Sequence, residues 1–237
     1  MDLAREAWLL ERAAAGEPAL LLSSWPGAVV VLGFGQRAED GDLAWCRRHG
    51  VPVLRRLTGG TGVVHRGDLG VGLALPAEHP WAKGIVSLYG CFLEALGPAL
   101  RALGSRASRI AEPRRGSRGR SPVCFLDQLA DTLAVDGRKA VGCAQTRRRG
   151  AVLVHAAVLL GLDAELYSRI FRVPADEVRA GLTPALPGVP PGAIGNEVAA
   201  AMSRALGLAP VHRSPEPVPQ RFLEPYATAR WAPVPGP

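Results

Sequence analysis

Residues 130–157 read ADTLAVDGRKAVGCAQTRRRGAVLVHAA, apolar runs on either side of Asp136-Gly137, with Lys139 just past the turn. Asp-Gly between strand-like runs is a strong hairpin signal, because both central positions of a type I′ turn need positive φ. Val123 to Val135 and Arg138 to Gln145 are predicted as its two strands, with a further strand over Ala151 to Leu160. A chain built around such a segment must contain a β-sheet. Lys139 also stands out by type: of 28 Lys plus Arg, only Lys83 and Lys139 are lysine. Where arginine is the default cation, a compact ammonium at one position points to a specific need for it.

The rest of the chain supplies helices around that sheet. Leu3, Ala7, Leu10 and Ala14 recur at helical spacing, and Pro18 ends the segment. Ala19 to Leu22 and Ala28 to Phe34 read as two strands joined by a hairpin-like connection across Ser23 to Gly27. Asp42 to His49 is predicted as a short helix capped by Asp40 or Asp42. Val51 to Leu57 and Leu69 to Leu75 are further strands. A long helix is expected from Trp81 to Leu103, with Ile85, Leu88, Phe92, Leu96 and Leu100 on one face. Beyond Gly161 the helical segments are Ala164 to Phe171, Ala175 to Ala180 and Asn196 to Leu206. Strands with one helix between them, followed by helices, make an α+β pattern.

At 237 residues, 48% hydrophobic and 21% charged, the chain has enough apolar material for a sizeable core. Residues 104–122 are small, basic or helix-breaking and read as a mobile basic surface loop. The proline-rich stretch from Pro210 onward reads as a tail lying over the surface. Net charge is +7, which favours acidic partners, but no aromatic-interleaved basic motif of an RNA-binding fold and no zinc finger is present. No apolar run reads as long enough to span a bilayer, and no secretory signal opens the sequence. Cys46, Cys91, Cys124 and Cys143 form no CxxC pair and no disulfide framework. Reduced thiols and a cytoplasmic location are expected, with neither nucleic acid nor membrane as partner.

Three local signals carry chemistry. Thr58-Gly59-Gly60-Thr61-Gly62 lies between two strands, where glycine lets the backbone approach a ligand and frees its amides for an anion or carbonyl. Its spacing is neither that of a P-loop nor that of a dinucleotide fold, and a glycine-rich β-turn is the alternative. Arg55 and Arg56 beside it should face opposite ways, so one should point inward. Cys124 is either a small buried hydrophobe or, beside a cation, a reactive thiolate. Cys143 is its rival, four residues from Lys139 on the same strand face. His65 and His155 stand alone in or beside apolar strands, where a structural role and a general-base role are both open.

Taken together, these motifs resemble the lipoate-protein ligase and octanoyltransferase family, which shares its catalytic fold with biotin-protein ligases. Arg55-Arg56-x-Thr58-Gly59-Gly60 followed by Val63-Val64-His65 is similar to the family's glycine loop. Gly137-Arg138-Lys139-Ala140-Val141-Gly142-Cys143-Ala144-Gln145-x-Arg147 resembles its lysine strand, and Val152 to His155 the strand ending in its histidine. Cys124-Phe125, fifteen residues before Lys139, resembles the Cys-Phe of the cysteine-dependent octanoyltransferases. The sequence departs from the family pattern at Thr61-Gly62, Arg66, Leu69 to Gly72 and Ala156-Ala157.

The resemblance implies central mixed and antiparallel sheets flanked by helices, with a catalytic unit over 1–212 and a tail over 213–237. It implies that Cys124 is the acyl-thioester nucleophile and Lys139 the cation that lowers its pKa. Arg56, Thr58, Gly59, Gly60, Thr61, Gly62, Val63, Val64 and His65, with Gly142, Cys143, Ala144 and His155, would bind substrate. An octanoyl or lipoyl group would pass from acyl carrier protein to a lysine of a lipoyl-accepting protein, either the glycine-cleavage H protein or a dehydrogenase lipoyl domain. That route needs no cofactor and no metal. Two alternatives remain: an ATP- and Mg-dependent lipoate-protein ligase, and a non-catalytic acyl- or partner-binding module of the same fold.

Overall fold

The structure is a computed structural model that describes residues 2–110, 120–127, 132–148, 150–209 and 216–228. Its elements in chain order are α1 (Asp2–Ala14), β1 (Ala19–Ser24), β2 (Val29–Leu32), α2 (Leu43–Arg48), β3 (Val53–Arg55), β4 (Val63–His65), β5 (Leu69–Pro76), α3 (Ile85–Ala102), β6 (Ser108–Arg109), β7 (Leu133–Val135), β8 (Arg138–Arg148), β9 (Ala151–Val158), α4 (Ala164–Phe171), α5 (Ala175–Gly181), α6 (Pro191–Leu206) and α7 (Gln220–Thr228). The fold is α+β, as the sequence predicts.

Two sheets divide the strands. A six-stranded antiparallel sheet has the order β1-β5-β9-β8-β7-β6. A three-stranded sheet has the order β3-β2-β4, with β2 parallel to β3 and antiparallel to β4. The predicted turn holds: Asp136 has φ 50° and Gly137 φ 74°, the left-handed pair that lets β7 run into β8.

Strands β5 and β9 are almost continuously apolar because the large sheet is covered on both faces. On one side α3 and α6 bury Leu88, Phe92, Leu96, Ile194 and Val198 against Leu73, Leu75 and Val154. On the other, α1 lays Leu9, Leu10 and Ala13 over Ala74 and Leu153. A separate cluster joins Val30, Val53 and Val64 of the small sheet to Tyr167, Ile170 and Phe171 of α4 and to Val123 and Phe125. Each large apolar side chain fully removed from water stabilises the fold by about 1.5–3 kcal/mol.

Several expectations are corrected. Strands β1 and β2 do not form a hairpin: β1 pairs with β5, and β2 lies in the other sheet. The connection between them crosses from sheet to sheet, held where Trp25 N–H donates to Asp68 O and Gly67 N–H to Trp25 O. The strand expected over Val123 to Val135 shrinks to Leu133–Val135, because the backbone of Val123 and Cys124 is committed to the glycine loop; residues 128–131 lie outside the described residues. The long helix breaks at Gly84 into a 3₁₀ turn (Pro80–Lys83) and α3. Helix α6 begins earlier than expected, with Pro191 in its first turn. Within the basic loop Ser108–Arg109 adds an edge strand, and 111–119 lie outside the described residues. In the tail, α7 packs against α1.

Against the expectation that no run reaches membrane-spanning length, α3 is long and apolar enough to cross a bilayer, with mean hydropathy 1.2 over 18 residues. Its apolar face is instead the centre of the main core.

Candidate active site

Three segments converge between the sheets. The first is the glycine loop, which closes on the Cys124 segment by a parallel bridge between Gly62 and Val123. Gly62 N–H donates to Pro122 O at 2.9 Å, and Cys124 N–H donates to Gly62 O at 2.8 Å. Glycine is required at 62, since a Cβ there would stand 2.3 Å from the Phe171 ring. Gln36 adds a clamp: its side-chain amide donates to Pro122 O at 3.0 Å and accepts from Gly33 N–H at 3.2 Å.

Both arginines expected to diverge are buried, each for its own loop. Arg55 donates to the carbonyls of Gly33, Phe34 and Gln36 at 2.6–2.9 Å. Arg56 donates to Gly59 O at 2.7 Å and Thr61 O at 3.0 Å, folding the glycine loop around its guanidinium. Arg120 reaches Gly60 O at 3.0 Å from outside.

The second segment is the start of β8. Lys139 is buried, with Nζ donating to Cys124 O and Asp127 O, both at 3.0 Å, and lying 5.2 Å from the centre of the Phe125 ring. The cation is thus bonded to the backbone of the cysteine. A Cβ on Gly60 would lie 3.5 Å from Cys124 Sγ, which puts the sulfur against the glycine loop. Burial pushes the Cys124 thiol up. The charges of Lys139 and Arg56, a backbone hydrogen bond from Thr61 and one from the Arg56 side chain outweigh it, and the pKa falls below the ordinary thiol value. Cys46 shows the opposite balance: burial beside Asp42 pushes its thiol up to about 11.

The third segment is the sheet floor and α1. A cavity is lined by Cys124, Phe125, Arg56, Val63 and His65, by Gly142, Cys143 and Ala144 of β8, by His155 to Ala157 of β9, and by Asp2, Leu3 and Glu6 of α1, with Ser23, Trp25, Val31 and Gly70 completing the wall. The structure therefore brings Arg56, Val63, His65, Gly142, Cys143, Ala144 and His155 to one cavity with Cys124. Thr58, Gly59, Gly60, Thr61 and Gly62 support it from behind as the folded loop. Val64 alternates to the opposite face of β4 and joins the core under α4, so it is not a wall of this cavity.

The histidines are not alone. His65 Nδ1 lies 3.3 Å from Asp68 Oδ2, and its ring stacks on Trp25 with centroids 4.6 Å apart. Asp68 is buried, which pushes its carboxyl up against the hydrogen bond and charge of His65. His155 Nδ1 lies 3.0 Å from Glu6 Oε1, and its Nε2 lies 2.9 Å from Thr58 Oγ1. Sequence reading missed Glu6. Its signal is a carboxylate on the buried face of α1, between Leu3 and Leu10 at helical spacing. Among the described residues no group of three or more His, Cys, Asp or Glu is placed to hold a metal ion.

This arrangement sets a thiol of lowered pKa against a largely apolar cavity. Curated relatives match about 70% or more of this chain. The octanoyltransferase LipM of Geobacillus kaustophilus is 33% identical over 172 residues, covering 70% of this chain and 62% of the relative. That of Moorella thermoacetica is 34% identical over 182 residues, covering 75% and 66%. The chain thus spans less than two thirds of these relatives' length. Among solved structures, a lipoate-protein ligase A bound with ATP superposes with TM-score 0.74 at 22% identity, covering 97% of this chain and 89% of the other. The bipartite lipoate protein ligase of Thermoplasma acidophilum gives the same score and identity, covering 97% and 88%. That likeness establishes the biotin/lipoate ligase fold. Residues 1–187, which include every segment of the cavity, match the model of the lipoyl protein ligase A/B catalytic domain, and the chain belongs to that family.

Proposed function

We propose that this chain is a cysteine-dependent acyltransferase of protein lipoylation. It moves an octanoyl or lipoyl group from acyl carrier protein, through a thioester on Cys124, to a lysine of a lipoyl-accepting protein. The observation that carries the reading is the Cys124 thiol. It lies at an apolar cavity, bonded through its own carbonyl to Lys139 and flanked by Arg56, with its pKa lowered by both charges.

In the first step the Cys124 thiolate attacks the donor thioester carbonyl. A C–S bond forms, the donor's C–S bond breaks, and the donor leaves as a thiolate that takes a proton from solvent. In the second step the acceptor amine attacks the acyl-cysteine, a C–N bond forms, and the Cys124 sulfur departs into the field of Lys139 and Arg56. The same cations that make Cys124 a nucleophile make it a good leaving group. Backbone N–H groups of the glycine loop are the natural donors to the oxyanion of each step. The +7 net charge favours encounter with acidic carrier and acceptor proteins. The relatives named octanoyltransferase LipM support octanoyl as the group moved.

The test is incubation with octanoyl-acyl carrier protein and intact mass measurement. A hydroxylamine-labile octanoyl adduct that disappears in Cys124→Ser is expected. Formation of an acyl-adenylate from ATP and free acid that survives Cys124→Ser would show a ligase instead. Silence in both assays would leave a binding module.

A further inference from the structure

The two sides of strand β8 are covered unequally. On one side β9 pairs with it from Val141 to Arg148, while on the other β7 reaches only Val141, opposite Leu133. Leu159 N–H donates to Ala140 O at 3.0 Å, which fixes the alternation along β8. From there on the even-numbered residues turn their backbone groups to β9. Gln145 and Arg147 therefore turn N–H and C=O outward, past the end of β7. Among the described residues nothing bonds to these groups. An edge of this kind is a template for one more strand.

The edge leads to the thiol. Cys143, two residues back along β8 and roughly 6–7 Å away at strand rise, lines the cavity that holds Cys124. One residue further, a Cβ on Gly142 would stand 2.7 Å from the Phe125 ring. A segment laid along Gln145 and Arg147 thus has its next residues at the cavity.

The flank selects the occupant. Gln145 Nε2 donates to Ile85 O at 3.0 Å and Arg147 Nη1 to Ala82 O at 2.5 Å, so the start of α3 lies beside the edge. Ile85 and Val86 there are 60% and 72% exposed, which leaves apolar surface for a partner. Arg66, Arg106, Arg169, Arg179 and Arg221 each pair with a carboxylate; among the described residues none pairs with Lys83, Arg147 or Arg148. A second copy of this chain would set those cations against their own kind, which disfavours edge-to-edge self-pairing. An acidic strand is drawn to them. A carrier's thioester rides on a long prosthetic arm and needs no backbone contact here. An acceptor lysine hangs from its own backbone by a four-carbon stem, so that backbone must come to the cavity.

On the acyl-transfer reading above, we infer that the outer edge of β8 at Gln145 and Arg147 is where the lysine-bearing segment of the acceptor protein docks. The segment adds as an extended strand bonded to the backbone of both residues. Its carboxylates lie by Arg147 and Lys83, and its apolar side chains by Ile85 and Val86.

The experiment follows backbone amide exchange by NMR in the chain alone, with excess apo lipoyl domain, and with acyl carrier protein. The Gln145 and Arg147 amides should slow by about tenfold or more with the lipoyl domain, the scale of one net hydrogen bond, and stay fast with the carrier. Thr146 and Arg148, already bonded to β9, should change less. Arg147→Pro removes the outward N–H and the charge but spares the β9 ladder. In octanoylated protein it should slow release to the lipoyl domain, below saturation, by about tenfold and leave release to hydroxylamine unchanged. Arg147→Lys should recover most of the loss. The inference is overturned if the two amides stay fast with the lipoyl domain, if they slow with the carrier instead, or if they slow as the chain alone is concentrated. It is equally overturned if Arg147→Pro leaves the lipoyl-domain rate unchanged or lowers it only in step with the hydroxylamine rate. Failure of Cys124 to form any adduct overturns the transfer reading, while the exchange data decide the edge by themselves.

Discussion

Lys139 Nζ donates to the carbonyl oxygen of Cys124 at 3.0 Å, so the cation is tied to the backbone of the residue whose thiol it charges. A lysine held this way keeps its field on the sulfur through a hydrogen bond to the backbone and not through an ion pair with the thiolate. In the proposed transfer the acyl group comes and goes at Sγ while the Nζ–carbonyl bond persists.

Replacing Lys139 with Met removes that field and leaves the burial that opposes it. The Cys124 pKa should then rise, because burial raises it and Lys139 is the largest opposing charge. Alkylation of Cys124 by a neutral reagent, followed against pH, should show its midpoint move upward, and acylation near pH 7 should slow with it. Stability has a definite sign. A depressed folded pKa adds stability above the unfolded thiol's pKa, and that increment is lost as pH falls through the folded value. Lys139→Met should erase it, besides losing about 1–3 kcal/mol through the carbonyls of Cys124 and Asp127 left without this donor. An unmoved alkylation midpoint would refute the role given to Lys139.

Arg56 should matter to both loop and thiol. Its guanidinium holds Gly59 O and Thr61 O and adds to the charge felt by Cys124. Arg56→Gln should lower the denaturant midpoint by an amount equivalent to about 1.5–3 kcal/mol, the scale of a hydrogen bond to a charged group. It should also shift the thiol midpoint upward, as in Lys139→Met. Arg56→Lys keeps the charge without the planar fork, so it should recover the thiol pKa more fully than the stability.

Cys143 tests which sulfur would carry the acyl group in the proposed transfer. It lines the cavity from β8, and the hydrogen bond from Lys139 goes to the Cys124 segment. Cys143→Ser should therefore retain the hydroxylamine-labile octanoyl adduct, and Cys124→Ser should lose it. Peptide mapping of the adduct decides between them.

The order of elements was legible because local signals coincide with what packing needs. Asp136-Gly137 between apolar runs favours the positive-φ turn it makes, and the Leu88, Phe92 and Leu96 stripe demands an apolar surface. The pairing of Cys124 with Lys139 was legible only by resemblance, since a cysteine in a turn and a lysine in a strand share no spacing rule. What escaped was set by distant contacts. The segment after Pro122 reads as a strand from its apolar residues, but Gly62 and Gln36 claim its backbone groups. Glu6 meets His155 across 149 positions, and no periodicity encodes that bond. A carboxylate on the buried face of α1 was the one clue.

Gly142 sets the position of Phe125, the residue next to Cys124. A Cβ at 142 would stand 2.7 Å from Cε2 and 2.8 Å from Cζ of Phe125, whose ring lies against the Lys139 ammonium. Gly142→Ala must therefore displace that ring, at a cost of about 1–3 kcal/mol for overpacking. Because Phe125 follows Cys124 directly, the displacement should also reach the sulfur and slow acylation. A smaller side chain at 125 removes the clash, so Phe125→Leu should recover part of both losses in the Gly142→Ala background. On its own, Phe125→Leu should destabilise by opening space in the core. Thermal unfolding and acylation rates of the two single variants and the double variant form a cycle, with an expected coupling of about 0.5–3 kcal/mol. Additive effects would show that Gly142 is kept for a reason other than the Phe125 ring.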